Sequence, residues 1–371
     1  MIKLMKNLWH WGTSWGYAIL NGLPANRLSV IGITGTDGKT TTSHLVYEML
    51  KAAGFKVALI STVAAYIGDE EVDTGFHVTT PDARLLQPLL KRIADRGFTH
   101  LVLEVTSHGL DQNRLAGVKF DVGIITNITH EHLDYHGTFE KYKRAKMKLL
   151  RMAKRPIYKY AKTRIKISNP VLAGEYNKSN VGAAETVAKV FGIQYSVISE
   201  AVKNFAGVPG RLEEIKMGQK FRAIVDFAHT PNALEKVLTE LRKQLFLPLD
   251  SARDENKLIL VFGCAGLRDH TKRPMMGEAA RKLADVAIVT AEDPRTEKLV
   301  DIYEQITGGK GDLIREDDRQ KSINLAVSMA KPGDIVVVTG KGHEKSMCFG
   351  KIEYPWSDQE TVIKAIKKYG N

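Results

Sequence analysis

The stretch Val30-Ile-Gly-Ile-Thr-Gly-Thr-Asp-Gly-Lys-Thr-Thr-Thr42 limits this chain more than any other feature. An apolar run, Leu28 to Ile33, reads as a buried strand, and Ser43 to Leu50 reads as a helix. Between them stand Gly35, Thr36, Asp37, Gly38, Lys39, Thr40 and Thr41. Strand, glycine loop, helix is the setting a phosphate-binding loop needs. Glycines let backbone N–H groups turn inward around phosphate oxygens, and the helix N-terminus adds partial positive charge. Lys39 would reach the β- and γ-phosphates, and the Thr40 hydroxyl would sit on Mg²⁺. The strict pattern wants glycine where Ile33 stands, so this loop is a variant of it.

A length of 371 residues favours two domains, and 43% hydrophobic residues suffice for full cores. The two cysteines, Cys264 and Cys348, give neither zinc spacing nor a disulfide framework, which suits a reducing cytoplasm. No stretch reads as a signal peptide or as a run able to span a bilayer. Net charge is +12, and residues 141–166 carry twelve Lys or Arg with no acid, equal to the whole excess. Such a run has two readings: a partner surface for phosphates, nucleic acid or anionic lipid, or a solvated helix face. No nucleic-acid recognition motif accompanies it, and Tyr142, Tyr158 and Tyr160 make no stacking platform, so no nucleic-acid partner is expected.

Residues 1–27 form an aromatic-rich segment with Leu8, Trp9, Trp11, Trp15, Tyr17, Ile19 and Leu20, ended by Pro24. It reads as a short helix packed on the first domain, with a membrane interface as the alternative. Further on, strands are expected at Lys56–Ile60, Leu101–Val105 and Val122–Thr126, and a helix from Asp82 to about Arg96. A Gly/Pro cluster, Gly207-Val-Pro209-Gly210-Arg211, marks the boundary between a central domain, 28–210, and a C-terminal domain, 211–371. The second part repeats the alternation of strand and helix, including Ala223–Phe227, Lys257–Phe262, 286–290 and Ile335–Thr339 as strands. The fold class is α/β: a phosphate-loop ATPase domain with a mostly parallel sheet, then a dinucleotide-fold-like α/β domain.

Chemistry in such sheets gathers at the carboxyl ends of strands. Glu104, Thr106, Ser107, His108, Asn127 and His130 all fall there. A phosphate loop, an acid ending a later strand and His130-Glu-His132-Leu-Asp134 together could hold a nucleotide with Mg²⁺, although histidine is an atypical ligand for that ion.

These stretches resemble the Mur ligase family, and within it the MurE type that adds the third stem residue of peptidoglycan. The matching motifs are Gly35 to Thr41, Thr79-Thr-Pro81, Glu104 to Leu110, Asn127 to Gly137 and Tyr142 to Lys146. They continue, in family order, with Asp226 to Pro231, Phe262 to Asp269, Glu292-Asp-Pro-Arg295 and Gly340-Lys-Gly-His-Glu344. The resemblance implies an ATP-dependent acid–amino-acid ligase of peptidoglycan, cell-wall and cell-shape metabolism, cytoplasmic and monomeric. ATP phosphorylates the acceptor carboxylate, and an amine attacks the acyl phosphate.

It also implies roles. Gly35, Thr36, Gly38, Lys39, Thr40 and Thr41 cradle ATP phosphate. Thr40, Glu104, His132 and Lys146 serve two Mg²⁺ sites, with Lys146 as a carboxylated lysine, and Lys39, Glu104, His132 and Lys146 form the catalytic set. Asn177 and Asn180 lie near adenine, Asp226 and His229 near ribose and phosphates, and Arg211 at the hinge. Thr79, Thr80, Thr106, Gln112 and Arg114 contact the muramoyl-peptide acceptor. Arg268, Asp293, Arg295, Gly340 and Glu344 receive the incoming amino acid, meso-diaminopimelate by the arginine pair. The usual motif reads Asp-Asn-Pro-Arg where this chain has Glu-Asp-Pro-Arg, and the extra charge at Asp293 would favour an amine such as lysine.

Two departures bear on the acceptor. Family members carry a separate N-terminal domain for UDP, whereas only residues 1–27 precede the loop strand here, so that domain is expected to be lacking. The stretch between Lys146 and Gly174 is short and shows no match to the family's small strands. The acceptor is then a UDP-linked or a lipid-linked peptidyl sugar, with peripheral membrane contact through the N-terminal aromatics and the 141–166 run. Two alternatives stand beside this reading: a folylpolyglutamate- or cyanophycin-type ligase, and a non-catalytic nucleotide-binding scaffold.

Overall fold

Seven strands make the sheet of the first unit: β1 (Ser29–Thr34), β2 (Val57–Ile60), β3 (Ala65–Ile67), β4 (Glu70–Val72), β5 (His100–Glu104), β6 (Phe120–Ile125) and β7 (Ala153–Ile157). The structure is a computed structural model that describes residues 2–72, 79–129, 131–245 and 256–370. The sheet order is β4-β3-β2-β5-β1-β6-β7; β2, β5, β1, β6 and β7 run parallel, and β3 and β4 are added antiparallel. Central strands such as β1 and β2 are apolar and buried almost throughout, because helices cover both faces of a parallel sheet. Those helices are α1 (Ile2–Leu20), α2 (Lys39–Ala52), α3 (Ala83–Asp95), α4 (Ser107–Asp111), α5 (Leu133–His136), α6 (Phe139–Met152), α7 (Glu175–Val190) and α8 (Tyr195–Lys203). β1 has β5 on one side and β6 on the other, so chain connections diverge at its carboxyl end, where such sheets hold ligands.

Asp82 caps α3 by accepting from the Arg84 N–H at 2.9 Å, and Thr138 caps α6 by accepting from Lys141. The strand β7 was not legible in sequence. It lies inside the basic run and pairs parallel with β6 at the edge of the sheet. Its Lys154, Arg155 and Pro156 are residues that blunt an edge against further pairing. The run is therefore not one helix face. It covers most of α6, an edge strand and the loop beyond, and it includes the buried Lys146.

α1 packs on the first unit, in contact with α3 and the segment after α4. Its Ser14 and Ala18 are fully buried, and a Cβ at Gly117 would come within 2.7 Å of Ala18. The Asn7 amide donates to the Asp111 carbonyl at 3.0 Å, and Asn113 donates to the Asn7 carbonyl at 3.3 Å. Among the described residues no helix is long and apolar enough to cross a membrane.

The chain divides into units Met1–Ala206 and Gly207–Asn371, and the division falls in the Gly/Pro cluster. The second unit has β8 (Glu213–Ile215), β9 (Arg222–Asp226), β10 (Leu258–Phe262), β11 (Val286–Val289), β12 (Ile314–Arg315) and β13 (Ile335–Thr339), in the order β12-β11-β10-β13-β9-β8. Only β8 is antiparallel. Alternate residues of β10 and β13 feed two cores: Leu260, Phe262 and Val337 on one face, Ile259, Val261 and Val338 on the other. The covering helices are α9 (Pro231–Leu245), α10 (Lys272–Leu283), α11 (Leu299–Thr307), α12 (Arg319–Met329) and α13 (Asp358–Tyr369). A hairpin of β14 (Ser346–Phe349) and β15 (Ile352–Pro355) follows β13. It escaped sequence reading because β15 is exposed throughout and shows no apolar alternation. Both cysteines are buried free thiols.

Candidate active site

The loop after β1 leads directly into α2, and Gly38 stands at the α2 N-terminus with φ +77°, a conformation that suits glycine. A Cβ there would also meet the Asn180 amide oxygen at 2.2 Å. Lys39 donates from Nζ to the Thr36 carbonyl at 2.9 Å, and the Thr36 and Tyr142 hydroxyls stand 2.8 Å apart. Asn127, at the end of β6, clasps the loop from the other side. Its Oδ1 accepts from the Asp37 N–H at 2.9 Å, and its Nδ2 donates to the Asp37 carbonyl at 3.0 Å.

Glu104 ends β5, one strand from the loop, and is fully buried. The Thr40 hydroxyl donates to Oε1 at 3.1 Å, the Thr62 hydroxyl to the same oxygen at 2.8 Å, and the Thr62 N–H to Oε2 at 3.0 Å. A buried carboxylate needs such hydrogen bonds to offset its loss of water. Thr62 was not identified from sequence; a threonine after a short strand carries no signal by itself.

Lys146 projects from α6 and is nearly inaccessible, with Nζ donating to the Gly35 carbonyl at 2.5 Å. Burial, reinforced by the nearby Lys39 charge, holds its amine well below the usual lysine range. His132 sits at φ +55°, with its Nε2 3.6 Å from the Glu131 carboxylate and its ring 4.9 Å from that of His108. His130 lies outside the described residues, as does the side chain of Asp134.

Of the five positions assigned to the acceptor, Thr80, Thr106, Gln112 and Arg114 are joined by hydrogen bonds, and Thr79 meets Thr62 beside them. The Thr62 and Thr79 hydroxyls stand 3.1 Å apart, and the Thr80 hydroxyl accepts from the Thr106 N–H at 2.9 Å. Thr106 caps α4 by accepting from Gly109 at 3.0 Å. Arg114 donates to the Thr80 carbonyl at 3.1 Å and to Gln112 Oε1 at 2.8 Å, and Gln112 donates to the Tyr135 hydroxyl at 3.1 Å. Asn177 and Asn180 lie in the first turns of α7. Asn180 donates to Asn177 at 2.9 Å and stands against Gly38, which sets both asparagines behind the phosphate loop.

Mg²⁺ takes hard oxygen donors and keeps several waters. The Thr40 hydroxyl and Glu104 carboxylate, 3.1 Å apart beside the loop, fit that preference. No group of three or more His, Cys, Asp or Glu converges among the described residues.

In the second unit, predicted residues again lie at carboxyl strand ends. Asp226 ends β9 and accepts from the Leu212 and Ala228 N–H groups, each at 2.7 Å. Burial pushes its carboxyl up, opposed by Arg211, whose guanidinium stacks 4.4 Å above the Phe227 ring. His229 Nδ1 stands 3.0 Å from the Phe227 carbonyl. After β11, Arg295 donates to the Gly266 carbonyl at 2.7 Å, joining its loop to the one bearing the exposed Arg268. Asp293 is buried, bonded to Lys341 and to the Cys348 N–H. Lys341 also pairs with Glu344 at 2.6 Å. Asp293 and Glu344 thus share the Lys341 cation inside the fold. Lys341 lay within the Gly340–Glu344 motif and was not singled out. Glu292, beside Gly340, is raised to about 7 by burial.

A phosphate loop at the divergence point of a parallel sheet, a buried acid bonded to its threonine, and a second α/β unit with cations at its strand ends define a nucleotide-using ligase class. Residues 33–161 match the Mur ligase middle domain and residues 210–342 the Mur ligase glutamate ligase domain. The UDP-N-acetylmuramoyl-L-alanyl-D-glutamate–2,6-diaminopimelate ligase of Aquifex aeolicus is 37% identical, over 93% of this chain and 78% of its own. A solved structure of a ligase of the same name shares 29% identity, with a TM-score of 0.56, covering 92% of this chain and 78% of that one. A bifunctional folylpolyglutamate synthase/dihydrofolate synthase solved with Mn, AMPPNP and L-glutamate aligns at a TM-score of 0.69 over 89% of this chain and 91% of its own; at 17% identity it shares the fold alone. The chain belongs to the Mur ligase family, whose members are ATP-dependent amide ligases.

Proposed function

We propose that this protein joins meso-diaminopimelate to the terminal carboxylate of a muramoyl-dipeptide acceptor, by way of an acyl phosphate, in peptidoglycan precursor synthesis. The observation that carries the reading is the Thr40–Glu104 pair beside the phosphate loop, joined through Thr62 to Thr79, beside the Thr80–Thr106–Gln112–Arg114 group. Nucleotide and acceptor residues then share one rim of the first unit. Lys39 neutralises phosphate charge as it moves to the acceptor carboxylate. Thr40 and Glu104 hold Mg²⁺, with His132 and a carboxylated Lys146 serving a second ion; the metal supplies further charge neutralisation. Asn177, Asn180, Asp226, His229 and Arg211 bind or frame the nucleotide.

In the second unit, Arg268 and Arg295 take the distal carboxylate of diaminopimelate, and Glu344 with Gly340 takes its ammonium end. Forked guanidinium–carboxylate pairing separates this substrate from lysine. The Lys341 pairing of Asp293 supports diaminopimelate over lysine, since it offsets the negative charge that stands in place of the usual asparagine. We place the protein in the cytoplasm as a monomer with a central domain, 28–210, and a C-terminal domain, 211–371. A second acceptor reading is a lipid-linked peptidyl sugar, with peripheral membrane contact. It is favoured by the two hydrogen bonds that fasten α1 to Asp111 and Asn113, on either side of Gln112. Mass spectrometry of products formed from ATP, Mg²⁺ and UDP-muramoyl-dipeptide, with diaminopimelate or lysine offered separately, tests both choices. Product with diaminopimelate alone upholds the first reading, and no product with either amine refutes it.

A further inference from the structure

α1 is amphipathic the wrong way round for a helix that only fills a surface groove. The side toward the protein carries Asn7, Ser14 and Ala18. The side away from it carries Met5, Leu8, Trp9, Ile19 and Leu20, with Leu20 81% and Trp9 71% exposed. These residues, spaced by one, three or four positions with Gly12 and Gly16 among them, lie along one stripe of the helix. Trp11 and Trp15 flank that stripe and line a cleft with Leu115, Val118 and the exposed Lys119. Lys6 is exposed on α1 itself, and no acid occurs in the chain before Asp37.

We propose that α1 lies flat in the headgroup region of an anionic bilayer, with its Met5–Leu8–Trp9–Ile19–Leu20 stripe turned into the acyl boundary. An apolar stripe rimmed by tryptophan and cations and free of acids is what such an interface selects. The helix rests on the membrane rather than crossing it. Anionic lipid is the fitting occupant because α1 carries no acid and the cations Lys6 and Lys119 lie beside the stripe, so a second copy seated on it would bring these like charges together. The bonds from Asn7 to the Asp111 carbonyl and from Asn113 to the Asn7 carbonyl then fix the Gln112–Arg114 segment at the bilayer surface. This deepens the proposed acceptor reading: an acceptor anchored in the same bilayer meets its binding residues without leaving the membrane.

The test uses the whole chain and vesicles of phosphatidylcholine with or without phosphatidylglycerol, at low salt. Three of the four tryptophans lie on α1, so its emission reports burial directly. The expected result is co-sedimentation with anionic vesicles, a blue shift of tryptophan emission, and roughly tenfold weaker binding for Leu8→Ser/Trp9→Ser/Ile19→Ser. All three side chains are exposed, so circular dichroism and thermal melting of the variant are expected to match the parent. No sedimentation with anionic vesicles overturns the proposal. So does a concentration-dependent dimer that the triple variant abolishes, which would assign the stripe to a second copy. Neither result bears on ligase chemistry, which is read separately from product mass.

Discussion

Lys341 Nζ stands 2.8 and 3.0 Å from the two carboxylate oxygens of Asp293, and both side chains are buried. The acid that replaces the usual asparagine of this motif is paired with a lysine just beyond the end of β13, which also pairs with Glu344 at 2.6 Å. Asp293→Asn leaves Lys341 with one anionic partner in a buried site. Removing one partner of a buried pair costs about 3 to 5 kcal/mol, and the remaining Glu344 offsets part of it. The expected loss is roughly 1 to 3 kcal/mol in urea unfolding. An unchanged midpoint would show that the pair contributes nothing.

Glu292 gives a pH signature. Its carboxyl rises from 4.5 to about 7, chiefly through burial, against the opposing charges of Lys272 and Arg319. The native chain holds a proton there that the unfolded chain releases, so stability falls as pH rises from about 4.5 to 7. Above that window the cost is about 3 kcal/mol. Glu292→Gln keeps the shape and removes the charge. The variant is expected to gain stability relative to the parent at pH 8 and not at pH 5; parallel unfolding curves at both pH values would refute the assignment.

Glu104→Gln keeps one acceptor oxygen, enough for one of the two Thr62 bonds, and removes the anion beside Thr40. ADP release stimulated by acceptor and amine is expected to drop roughly 10²- to 10³-fold while the fold persists. A variant that keeps its turnover would show that the carboxylate charge is not needed.

Lys146 is buried and held toward its neutral form, the form in which an amine takes up carbon dioxide. Activity is expected to rise with bicarbonate in the parent and to show no such response in Lys146→Arg. Intact mass under bicarbonate supplies the direct check through addition of one carboxyl group.

Arg268 and Arg295 separate diaminopimelate from lysine in the proposed reading. Arg268 is exposed on its loop, so Arg268→Ala is expected to leave stability unchanged. The ratio of kcat/KM values for diaminopimelate over lysine is expected to fall about a hundredfold. An equal loss for both amines would place Arg268 outside the specificity pocket.

Local pattern was enough for much of the first unit and for the loops that bear chemistry. β1, β2, β5 and β6 are apolar runs ended by serine, threonine or acid, and their helices begin at capping residues such as Asp82 and Thr138. β7, β12 and the hairpin were hidden, because edge strands and exposed hairpins lack the apolar run that burial on two faces imposes.

The sequence by itself determined the loop, its strand and helix, and the family motifs, since each is written in consecutive residues. Tertiary structure alone decided which groups meet. Thr40 and Glu104 are 64 positions apart, Lys146 and Gly35 are 111 apart, and each pair is brought within bonding distance by neighbouring elements of one sheet. It also decided sign and exposure. Asp293 is paired with Lys341, Lys146 is removed from the basic surface, and the apolar side of α1 faces outward, because burial and pairing depend on what packs against a residue and not on its neighbours in the chain.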